Sequence, residues 1–213
     1  AWTKRSHVGQ AAQNGLSCAI MAGEGFRGPS EAFEGQWGYL NAYASGGDIE
    51  KAMDGLGQTY ETLNLGVKPY PSCRYSHAAI DGIIELKKEL GFSSKNLDDI
   101  DIGLSETALN IIGYPLLDKQ NPKSIVDGQF SMPFCAAVAI KDGGLTWDDY
   151  KVHLENKETI SLCNRIKVSP DKDAEDCCPE FMSAKVKVVV DGVKYEKFVK
   201  IPKGEPDNFM KDS

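Results

Sequence analysis

Residues 68–90 read KPYPSCRYSHAAIDGIIELKKEL. Just upstream, Tyr60, Leu63, Leu65 and Val67 read as a strand that Pro69 ends. From Ser72 the period changes. Ala79, Ile80, Ile83, Ile84, Leu86 and Leu90 form the apolar stripe of an amphipathic helix running to Leu90. A strand feeding a helix here predicts an α+β unit. The same stretch gathers Lys68, Cys73, Arg74 and His77 at the mouth of that helix. A helix start already carries free N–H groups and partial positive charge, so cations there cost about a few tenths of a kcal/mol. Against an anion the placement makes sense. Arg74 offers a planar fork for a carboxylate, and His77, three residues on and on the same face, can exchange protons near neutral pH. The competing reading is a helix start with surface cations and a buried cysteine.

Downstream, Leu97, Ile100, Ile102 and Leu104 alternate with acids as a half-buried strand. SIVDGQFSMPFCAAVAIKDGG, residues 124–144, reads as a second long apolar helix in which Pro133 implies a kink or a late start. Thr146 is the expected cap of a short helix in TWDDYKVHL, and KETISLCNRI gives another. Two alternating runs meet at Asp191-Gly192, a strong two-residue hairpin signal. Upstream, residues 7–25 carry small and apolar residues at helical spacing, with short helices expected near residues 29–33, within QWGYLNAYASGG, and after a cap at Asp48. The expected fold is therefore α+β: the remnant of an all-helical domain, then a smaller α+β domain ending in a β-hairpin. The chain opens at Ala1 directly in patterned sequence and stops at EPDNFMKDS, as expected of a piece of something longer.

Composition narrows the function. The 213 residues carry a net charge of −7 with no clustered Lys/Arg stretch, which argues against a nucleic-acid partner. No run approaches the roughly 18 apolar residues of a membrane span. AWTKRSHVGQ has no apolar signal core, so a cytoplasmic location is expected, or a mitochondrial one in a eukaryote. The six cysteines include no C-x-x-C pair and mostly sit in apolar runs, so they read as reduced, buried small hydrophobes with no metal site.

A second cationic group, TKRSHVG, puts Lys4, Arg5 and His7 at the first helical turn, again suited to a carboxylate. His153 reads as a solvated or interface histidine and Ser105 as a helix cap; Asp98, Asp99 and Asp101 look like a metal-binding group, but alternation puts Asp99 and Asp101 on one solvent face, which argues against that role. Neither a nucleotide-binding glycine loop nor a G-x-S-x-G elbow is present.

Four segments together resemble one family. TKRSHVGQAAQNGLSCAIMAGEGFRGP, VKPYPSCRYSHAAIDG, FSMPFCAAVAIKDGGLT and GEPDNFM are similar, in order, to motifs of the MmgE/PrpD family, which contains 2-methylcitrate dehydratase, cis-aconitate decarboxylase and iminodisuccinate epimerase. The resemblance places the chain on that family's C-terminal half. Residues 1–57 would belong to the helical domain, 58–203 to the smaller α+β domain, and 204–213 would return toward the first. It implies a homodimer that uses no metal or cofactor and acts on a small di- or tricarboxylate, by proton abstraction followed by loss of water or CO₂ or by reprotonation. His77, Lys68, His7 and Cys73 would be catalytic, and Lys4 and Arg74 would bind substrate. At Cys73 the sequence departs from decarboxylase-like members, which carry a histidine there. The alternative is an inactive fragment or carboxylate-binding module that needs the missing half.

Overall fold

A computed structural model describes residues 2–44 and 46–210. The chain divides into two compact units, Ala1–Thr62 and Leu63–Ser213.

The first unit holds α1 (Trp2–Gly23), α2 (Tyr39–Ala44) and α3 (Ile49–Met53). Asp48 caps α3 as expected, its side chain accepting from the N–H groups of Glu50 and Lys51 at 3.0 and 3.3 Å. No helix forms at residues 29–33. Residues 30–37 make successive turns, in which the N–H of Gly35 bonds to Glu31 O and that of Gly38 to Gly35 O. Most large apolar side chains described in this unit, among them Val8, Leu16, Ile20, Phe33 and Trp37, are exposed. Its described residues build no hydrophobic core of their own.

The strand expected through Tyr60–Val67 is absent. Residues 61–64 form a 3-10 turn, and Tyr60, Leu63 and Leu65 are exposed. Alternation makes a strand only beside a partner strand, and here the Val67 N–H instead meets the carbonyl of Gly204 at 2.7 Å.

In the second unit a 3-10 turn at Arg74–Ser76 leads into α4 (His77–Leu90), then β1 (Leu97–Leu104). Next come α5 (Glu106–Ala108), which runs into a π-turn at Leu109–Gly113, α6 (Leu116–Gln120), α7 (Ile125–Gln129) and α8 (Met132–Asp142). The chain closes with α9 (Asp149–His153), α10 (Lys157–Cys163), β2 (Ile166–Pro170), α11 (Lys172–Asp176), β3 (Ala184–Val190) and β4 (Val193–Val199). The sheet order is β2-β1-β3-β4, with β1 parallel to β2 and antiparallel to β3. The fold is α+β. β3 and β4 form the expected hairpin, and its turn residues Asp191 and Gly192 have φ of 50° and 78°, as a primed two-residue turn requires. A bulge between Leu97 and Asp99 shifts the register, so Leu97 and Ile100 are both buried although they are three apart.

The helix expected over residues 124–142 is split at Ser131. Ser131 Oγ accepts from the Phe134 N–H, and Pro133 sits in the first turn of α8, so the late start is the correct alternative. Every residue of α8 from Met132 to Ile140 is buried, which makes it the central helix of the core. It packs against α4, α10 and β2, while α4 lies on β3 and β4. Gly82 permits that approach: a Cβ there would meet Val186 Cγ2 at 3.0 Å. Ser105 caps α5 as expected. Thr146 does not cap α9; its N–H donates to Asp149 Oδ2 at 2.6 Å.

Candidate active site

His77 is the first residue of α4 and is only 2% exposed. Its Nε2 is buried and has no hydrogen-bond partner. The Tyr70 ring stands edge-on to the imidazole, centroids 5.3 Å apart. Tyr70 is itself held. Its hydroxyl donates to Asp81 Oδ1 at 2.6 Å, and Asp81 Oδ2 accepts from the Lys203 N–H at 2.7 Å. One turn along α4 from His77, Asp81 thus ties the helix to the segment that follows β4.

Burial pushes the His77 imidazole down from 6.5 to about 4. The Lys68 cation and then that of Arg74 contribute to that shift in the same direction, against opposing backbone hydrogen bonds at Ser72 and Tyr70. At neutral pH the ring is therefore uncharged, and Nε2 sits in a dry, positively biased environment. The Lys68 ammonium donates to the Ser72 carbonyl at 2.9 Å, which holds the cation over the loop that leads to His77. Burial also raises the Asp81 carboxyl, while the Tyr70 hydroxyl and the Lys203 N–H favour its charged form.

The rest of the loop is fixed by backbone contacts. The Cys73 N–H donates to Gln129 O at 2.9 Å, and Ser76 Oγ donates to Cys73 O at 2.7 Å. Ser72 and Ser76 share a hydroxyl–hydroxyl bond of 2.8 Å. Cys73 is half-buried. Behind these groups the fully buried Cys135 thiol is pushed up to about 12 by desolvation.

Arg74 differs from expectation. It lies in the 3-10 turn before α4, and both its Nε and its Nη2 engage the carboxylate of Glu205, 131 residues away. The anion it meets is part of the chain. Glu205 carries no local signal of this role, and neither does the Asp81–Lys203 contact, because each joins residues more than a hundred positions apart. Tyr70 and Asp81 do lie within the stretch that carries the family resemblance. Lys4 and His7 sit on α1 in the first unit, both exposed.

Two other expectations need correction. His153 is buried at 3% exposure rather than solvated. Only Cys135 and Cys163 are fully buried, whereas Cys18 is exposed and Cys73, Cys177 and Cys178 are intermediate; all six are free thiols. Asp99 pairs with Lys167 at 2.9 Å, Asp101 accepts from Ser169 Oγ at 2.8 Å, and Asp98 accepts from the Gly192 N–H at 2.7 Å. A groove of about 800 Å³ lined by Tyr70, Asp81, Lys197, Lys200, Lys203 and Phe209 adjoins the tether, but His77 does not line it. Among the described residues, no helix is long and apolar enough to cross a membrane.

Comparison with known proteins gives a consistent picture. The chain is 24% identical over 187 residues to the cis-aconitate decarboxylase of Aspergillus terreus (strain NIH 2624 / FGSC A1156), covering 81% of this chain and 37% of that protein. It is 23% identical over 215 residues to the cis-aconitate decarboxylase-like protein oryM of Aspergillus oryzae (strain ATCC 42149 / RIB 40), covering 94% of this chain and 44% of that protein. The chain thus spans about two-fifths of the length of these relatives. Residues 70–213 match the MmgE/PrpD C-terminal domain and residues 1–52 the MmgE/PrpD N-terminal domain. With both domains matched in order across most of its length, this chain belongs to the MmgE/PrpD family.

Proposed function

We propose that the whole protein is a cofactor-free lyase or isomerase acting on a small di- or tricarboxylate, with cis-aconitate the first acid to test. The observation that carries this reading is His77: a buried, neutral imidazole with an unpartnered Nε2, close enough to the Lys68 cation for that charge to depress its pKa. Nε2 accepts the proton from the carbon next to a substrate carboxylate. Lys68 holds that carboxylate and stabilises the negative charge that builds on it. The substrate's own negative charge raises the basicity of His77 when it binds, offsetting the effect of burial. Tyr70 and Asp81 keep the imidazole in place. Arg74 contributes field at His77 while anchoring Glu205, and Cys73 forms wall between Lys68 and the helix. On the helical domain, Lys4 is assigned to carboxylate binding and His7 to proton transfer or orientation. Residues 1–57 are assigned to that domain, 58–203 to the smaller one and 204–213 to the return segment, in a homodimer.

The test is turnover by the full-length protein of cis-aconitate, 2-methylcitrate and related acids, with product identified by mass. His77→Gln and Lys68→Ala, checked for folding, should each lower kcat/KM by about 100-fold or more, the scale of a lost proton-transfer group or charge-stabilising donor. Turnover unchanged in both variants would refute the assignment. The second reading, a carboxylate-binding module without turnover that needs the rest of the protein, is favoured by the 2% exposure of His77 and its absence from the lining of the adjoining groove. It predicts acid binding that Lys68→Ala abolishes, with no product formed.

A further inference from the structure

Three potential ligand groups converge away from His77 and outside the reading above. Asp142 ends α8, Asp149 begins α9 and His153 ends α9, and one donor atom from each lies within 4.8 Å of the other two. Asp149 and His153 are four residues apart, the spacing that places two side chains on one helix face. His153 is buried, Asp149 half-buried and Asp142 exposed, so the group opens to solvent on one side.

The contacts of His153 orient its ring for this role. Its Nδ1 lies 2.8 Å from Thr159 Oγ1, and its Nε2 faces Asp142 Oδ2 at 2.7 Å. With its proton on Nδ1, where the Thr159 hydroxyl oxygen accepts it, the imidazole presents the Nε2 lone pair to an ion beside the carboxylates. Asp149 adds a second negative charge and a third ligand atom. Lys141, the neighbouring cation, is turned toward Glu158 at 3.2 Å. Two of the three ligands are also oriented from behind, His153 by Thr159 and Asp149 by the Thr146 N–H at 2.6 Å, as metal ligands usually are.

We propose that Asp142, Asp149 and His153 bind a divalent transition ion with nitrogen and oxygen preference, such as Mn²⁺ or Zn²⁺. The ion takes one imidazole nitrogen and two carboxylate oxygens and leaves its remaining positions to water. It joins the end of α8 to α9 across the Gly143-Gly144 loop, so its role is structural.

The test is a titration of chelator-treated full-length protein with Mn²⁺, counting bound ion by loss of the free-ion electron paramagnetic resonance signal. Mn²⁺ is chosen because it is hard and avoids the free thiols. The wild type should bind one equivalent and gain melting temperature with added ion. Asp149→Asn, which keeps an acceptor for the Thr146 N–H, should lose that binding while retaining its circular dichroism spectrum. Thr159→Val should weaken it by about 10–100-fold, the usual effect of losing an orienting partner, and Thr159→Ser should restore it. No saturable binding in the wild type, or binding that Asp149→Asn leaves intact, would overturn the proposal.

Discussion

Acidification from about pH 7 to pH 4 should destabilise this protein through His77, by an amount its burial sets. In the unfolded chain the imidazole takes its proton near 6.5; in the folded protein it does so only near 4. Between those values the unfolded state binds more protons, so stability falls as the pH falls. The contribution is constant above about pH 7 and is fully lost by about pH 4. At about 1.4 kcal/mol per pH unit, the shift amounts to about 3 kcal/mol, a large share of a typical domain stability of about 5–15 kcal/mol. The assay is urea denaturation of the full-length protein and of His77→Gln across this range. Gln cannot titrate, while every other acid and base is common to both proteins. The difference between the two stability curves should therefore be flat near neutrality and change by about 3 kcal/mol between pH 6.5 and 4. A difference that stays flat throughout would show that His77 is not held neutral by burial, and the argument for an uncharged base would go with it.

Lys68→Ala removes a cation that disfavours protonation of His77, so the ring should titrate at higher pH than in the wild type. The imidazole proton resonance reads this directly, and an unmoved midpoint would place Lys68 too far from the ring to act on it. Gly82→Val should destabilise by about 1–3 kcal/mol through overpacking, because even a Cβ at that position already meets Val186 at 3.0 Å. Thermal unfolding with unchanged stability would mean that α4 can lift from β3 without loss. Alkylation at about pH 8 followed by peptide mass spectrometry should label Cys18 readily and leave Cys135 and Cys163 unmodified, since burial pushes both of those thiols up to about 12. Rapid labelling of Cys135 in folded protein would contradict the packing of α8.

The sequence by itself determined the parts of this protein whose signals are local. α4 follows from apolar spacing between Ile80 and Leu90, β1 from the alternation of Ile100, Ile102 and Leu104, and the hairpin from the conformational demands met at Asp191-Gly192. The caps at Asp48 and Ser105 were legible for the same reason, each side chain serving N–H groups two or three residues away. The family was legible because four motifs occur in order along the chain. Tertiary structure decided what depends on distant partners. β2 is five residues ending in Pro170, and only the pairing of Ile166 and Val168 with Ile100 and Ile102 makes it a strand. Residues 60–67 had the better strand pattern but gained no strand neighbour. The cluster of Lys68, Cys73, Arg74 and His77 could be read from its spacing, but what each member faces could not. Arg74 meets Glu205, Tyr70 is held by Asp81 and through it by Lys203, and His77 loses its water because Tyr70 and the core close over it. His153 became a buried group between Asp142 and Thr159 in the same way. Periodicity states which side of an element is apolar; it holds no information about which polar group, a hundred residues on, will stand opposite.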